Sequence, residues 1–122
     1  MLIEVTDPRP PFYDPLDDCH VTVTVGGIVY NVGETERSEL QENLLAFRRG
    51  LQGRSPFTPE FAYEPLFNVD FVGDQFVVYT YRPRFKHHRL WWLGSIKVVS
   101  EPESVSEATA YLTQFLTSLQ QT

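Results

Sequence analysis

His20-Val21-Thr22-Val23-Thr24-Val25-Gly26-Gly27-Ile28-Val29-Tyr30-Asn31-Val32 reads as two alternating segments around a glycine pair. Adjacent glycines supply the positive φ that a two-residue primed turn demands. Pairing across that turn sets Val25 opposite Ile28, Val23 opposite Tyr30 and Val21 opposite Val32. Those six side chains share one face, and Thr22, Thr24, Val29 and Asn31 share the other. Turn chemistry and hydrophobic alternation therefore ask for the same register, which predicts a hairpin with one buried side.

Ahead of the hairpin, Asp7-Pro8-Arg9-Pro10-Pro11 and Tyr13-Asp14-Pro15 form a proline-rich arm. Proline removes amide donors and fixes φ, so this arm is extended and outside any sheet interior. Residues 2–5 have room for a short edge strand before it. Behind the hairpin, Leu40, Leu44, Phe47 and Leu51 recur at helical spacing. Thr35 or Ser38 is the expected cap, Glu36, Glu39 and Glu42 sit early, and Arg48 and Arg49 sit late, as the helix dipole favours. Gly50 and Gly53 are the expected stop.

Residues 54–65 read as a proline-punctuated loop that holds Phe57, Phe61 and Tyr63 and so should pack against something. A second hairpin is predicted over 66–72 and 75–81 around Gly73-Asp74, with Phe71 facing Phe76 and Val69 facing Val78. A further strand over 89–99 would place Leu90, Trp92, Ile96 and Val98 on one face. The chain closes on a helix capped by Ser100 or Ser104, with Ala108, Tyr111, Leu112, Phe115, Leu116 and Leu119 as its apolar stripe.

The expected order is ββαβββα, a single α+β domain over 1–122. The arm occupies 1–19 and the α+β core occupies 20–122. Tight hairpins with two striped helices imply an antiparallel sheet of five to six strands with two helices on one face. A chain of 122 residues can bury a core without staples. Its one cysteine, Cys19, excludes an internal disulfide. No basic leader opens the chain and no stretch approaches the ~20 apolar residues of a membrane span, so a cytoplasmic protein with no membrane partner is expected.

Four places in the chain bear on chemistry. Asp17-Asp18-Cys19-His20 offers four ligand types in a row, but consecutive strand residues point to opposite faces. No metal site is expected there, and Cys19, without a local activating partner, is expected to be dispensable. The chain has no nucleophile elbow, P-loop, dinucleotide fingerprint or H-E-x-x-H. The expectation is therefore a protein that is not an enzyme and carries no cofactor.

The third and fourth places are charged. The chain is acidic, with a formal net charge of −6, yet four of its ten basic residues fall in Arg82-Pro83-Arg84-Phe85-Lys86-His87-His88-Arg89, which runs into Leu90-Trp91-Trp92. Arginine beside aromatic rings is typical of protein-interface anchors. Arg82, Arg84, Lys86, His87, His88, Arg89 and Trp91 are the predicted partner-binding residues, with Glu36, Glu39 and Glu42 as a second surface that would steer a basic partner. Read as solvated, the same basic stretch is a plain connection between strands. The acidic body argues against duplex nucleic acid as a partner.

The element order, with Leu40…Leu44…Phe47…Leu51, Gly73-Asp74 and Leu90-x-Trp92 as landmarks over residues 20–120, resembles the small bacterial immunity proteins of polymorphic and contact-dependent toxin systems. The resemblance implies an inhibitor that neutralises a toxin or effector by direct protein contact. The alternative is a phage or mobile-element protein that sequesters a small nucleotide-like signal in a pocket lined by Arg82, Arg84 or Arg89.

Overall fold

The computed structural model describes residues 1–6, 18–83 and 94–120. They form β1 (Leu2–Thr6), β2 (Asp18–Val25), β3 (Ile28–Glu36), α1 (Arg37–Gly53), β4 (Glu60–Phe61), β5 (Glu64–Pro65), β6 (Asn68–Val72), β7 (Gln75–Pro83), β8 (Ser95–Val99), β9 (Glu103–Ser104) and α2 (Val105–Gln120). The class is α+β and the described strand pairs are all antiparallel.

The strands do not make the single five- to six-stranded sheet that the sequence predicts. They divide into a three-stranded sheet β1-β2-β3, a two-stranded β4-β5, and a four-stranded sheet β6-β7-β8 in which β9 also pairs with β7. The division has a physical cause. α1 begins directly after β3, so the chain leaves the first sheet before the second begins. The two large sheets then meet through the Gly26-Gly27 turn, where the Glu101 amide donates to the Gly26 carbonyl at 3.1 Å. A Cβ on Gly26 would lie 2.2 Å from the Glu101 carbonyl oxygen, so only glycine lets the backbones approach. No sequence repeat is visible, yet β1-β2-β3 runs in chain order into α1, and β6-β7-β8 runs in chain order and then through the short β9 into α2.

The first hairpin keeps the predicted pairs Val25–Ile28 and Val23–Tyr30, but Val21 pairs with Gly33, not Val32. A bulge at Val32 shifts the register. Gly33 adopts φ 89° and its amide donates to the Asn31 side-chain oxygen at 3.0 Å, which fixes the kink. Cys19, Val21, Val23 and Val25 are fully buried. The second hairpin pairs Phe71 with Phe76 and Val69 with Val78 as expected, though β6 starts at Asn68. In β8, Ile96 and Val98 take alternate positions on one face, as expected, but Ile96 is 49% exposed. It pairs with Arg82 at the end of β7, past Val78, the last buried position of that strand.

α1 buries Leu40, Leu44, Phe47 and Leu51, the predicted stripe. It ends at Gly53, as expected, but its caps differ from the prediction and Gly50 does not stop it. The N-cap residue is Glu36, with no side-chain cap bond, and the C-cap is Arg54 in the left-handed region at φ 56°. Arg54 is held there by its own guanidinium, which donates to the Gly73 carbonyl at 3.3 Å and to Asp74 at 3.0 Å. Gly50 lies inside the helix, where the Phe57 ring occupies the space a Cβ would need. α2 buries Val105, Ala108, Leu112 and Leu116, with Tyr111, Phe115 and Leu119 packed at its flank. Ser104 accepts the Glu107 amide at 3.3 Å, as an N-cap does.

Both helical stripes join the inner faces of both large sheets in one core cluster. The helices also touch across their exposed sides, where Arg48 donates to Thr113 at 3.1 Å. Among the described residues, no helix is long and apolar enough to cross a membrane.

Candidate partner-binding surface

Three of the predicted site residues come together. Glu36 is the N-cap that leads into α1, and Glu39 and Glu42 follow three apart on one side of the helix. With Ser38 and Asn43 they form one wall of a cleft of about 330 Å³, and Glu60 and Tyr63 form the other. Glu39 lies in the first helical turn, where the helix dipole favours negative charge. Its carboxylate also accepts the Thr35 hydroxyl at 3.4 Å.

The opposite wall is a hairpin that the sequence does not announce. β4 and β5 pair Glu60 with Pro65 and Phe61 with Glu64. The apex is Ala62-Tyr63, and both residues have positive φ, 52° and 66°. Primed turns normally recruit glycine or asparagine at these positions. An alanine and a tyrosine there each cost about 1–2 kcal/mol. Neighbouring packing imposes the turn: Phe61 is buried with its ring 6.1 Å from that of Phe47, and the Leu66 amide donates to the Pro59 carbonyl at 3.1 Å. Tyr63 itself packs on nothing below it. It is 86% exposed, so the loop packs on the core through Phe57 and Phe61 and leaves Tyr63 outside.

The result is a shallow, open cleft with four carboxylates and a solvent-exposed phenol at its rim. Such an arrangement attracts cationic groups, and the ring offers area to an ammonium or guanidinium. Among the described residues, no group of three or more His, Cys, Asp or Glu side chains is placed to hold a metal ion.

The basic stretch is less accessible to description. Arg84, Lys86, His87, His88, Arg89 and Trp91 lie outside the described residues, as do Leu90 and Trp92. Arg82 is described, exposed at the end of β7. It acts on Tyr30, whose ring meets Phe67 edge-on at 4.9 Å. Burial pushes the Tyr30 hydroxyl above its ordinary pKa, and the Arg82 charge pulls it partly back. That hydroxyl is buried without a hydrogen-bond partner among the described residues. Two further clefts, of about 530 and 360 Å³, have no arginine among the described residues that line them.

Cys19 and His20 separate as strand alternation requires. Cys19 is fully buried and its thiol donates to the Thr35 carbonyl at 3.3 Å, whereas His20 is exposed and pairs in register with Glu34. Asp17 lies outside the described residues. On the second large sheet, the outer face carries Val72, Tyr81 and Val99, all exposed, and the Lys97 ammonium lies 4.1 Å above the Tyr79 ring.

No protein-family model, curated protein or solved structure matches the chain.

Proposed function

We propose that this chain is a non-enzymatic inhibitor of the immunity-protein kind, which neutralises a basic toxin or effector in the cytoplasm by direct protein contact. The observation that carries the reading is the cleft in which Glu36, Glu39, Glu42 and Glu60 surround the exposed ring of Tyr63. Carboxylates on an open surface steer a basic partner and raise its association rate. An aromatic anchor supplies area at low entropic cost and governs dissociation. The Arg82–Trp91 stretch is the second proposed contact, where arginine forks would meet carboxylates of the same partner.

Binding kinetics test the assignment, with the partner sought first in a neighbouring toxin gene. Replacing Glu36, Glu39 and Glu42 with glutamine is expected to slow association and weaken its salt dependence. Tyr63→Ala is expected to speed dissociation at unchanged association rate. Charge reversal at Arg84 and Arg89 is expected to speed dissociation as well. If the glutamine and Tyr63 variants each leave a confirmed partner's affinity within about threefold, some 0.7 kcal/mol, the cleft is not the contact. Turnover of a substrate, abolished by a single side-chain change, would overturn the non-enzymatic reading.

A further inference from the structure

We draw no further inference here: the strongest candidate, the outer face of the second large sheet, where Val72, Tyr81 and Val99 stand exposed around Tyr79 and Lys97, carries none because nothing in the structure shows what covers it.

Discussion

The Tyr111 hydroxyl closes on both backbone polar groups of Ile3, accepting its amide at 2.8 Å and donating to its carbonyl at 3.4 Å. Among the described strands, β1 pairs with β2 alone and is the edge of its sheet. An unpaired edge offers a template for another strand, and natural proteins cover it. Here a single phenol from α2 does so and ties the first strand to the last helix. Tyr111→Phe keeps the ring packed against Phe115 but strands the Ile3 amide and carbonyl. The expected cost is about 1–3 kcal/mol, read as a lower urea midpoint at unchanged m-value. Amide exchange at Ile3 should quicken more than at Val23. An unchanged midpoint would mean that water replaces the hydroxyl without loss.

Gly26 and Gly27 separate two reasons for glycine in one turn. Both have positive φ, 53° and 82°. A Cβ on Gly27 would meet nothing within 4 Å, whereas on Gly26 it would meet Glu101 backbone atoms at 2.2 and 2.7 Å. Gly27→Ala should therefore cost only the left-handed strain, about 1 kcal/mol. Gly26→Ala carries that strain and must also part the two large sheets where they touch, so a loss above about 2 kcal/mol is expected. Equal losses in denaturant titrations would show that the Gly26–Glu101 contact yields freely.

Tyr30 makes the stability of the fold sensitive to alkali. Its pKa is raised from 10.0 in the folded chain, chiefly by burial, against an opposing pull from Arg82. A raised folded pKa means that the folded state holds the proton more tightly than the unfolded one. The contribution is then fully present below the unfolded value and is lost as pH rises through the folded one. Stability should fall above about pH 10, and Tyr30→Phe should lessen that fall. At neutral pH the same variant is expected to be no less stable than the parent, because it removes a buried hydroxyl that has no partner among the described residues. Arg82→Gln should push the Tyr30 pKa further up and carry the loss to higher pH. Identical alkaline profiles for parent and Tyr30→Phe would remove Tyr30 from the account.

What the sequence made legible was whatever depends on local chemistry. Gly26-Gly27 and Gly73-Asp74 mark their turns because positive φ selects glycine, and the α1 stripe follows from helical spacing alone. The bulge at Val32 had a signal that alternation overrode: Asn31 and Gly33 flank it, and a glycine in a strand often marks a kink. The division into separate sheets had none, since alternation tells which face a side chain takes and not which strands are neighbours. The contact between the two large sheets is as silent, because Gly26 and Glu101, which meet there, lie 75 residues apart in the chain. The site divides likewise. Glu36, Glu39 and Glu42 could be grouped from spacing on α1. Glu60 and Tyr63 could not, because Ala62-Tyr63 carries no turn signature and tertiary packing alone folds it back.

That strained apex permits a last prediction that separates structure from binding. Glycine at either apex position relieves about 1–2 kcal/mol of left-handed strain and returns about 0.5–1 kcal/mol through the freedom it adds to the unfolded chain. Ala62→Gly and Tyr63→Gly should thus each stabilise the fold by about 0.5–1 kcal/mol, read from denaturant midpoints. Their effects on binding should diverge. Ala62→Gly keeps the ring at the cleft rim and should leave partner affinity unchanged. Tyr63→Gly deletes a ring that is 86% exposed and should weaken affinity at least tenfold, about 1.4 kcal/mol. Greater stability with lost binding is the expected mark of a residue kept for contact with a partner. Should Tyr63→Gly destabilise the chain instead, or bind as the parent does, the tyrosine would be a structural feature of the hairpin and the proposed contact would lose its anchor.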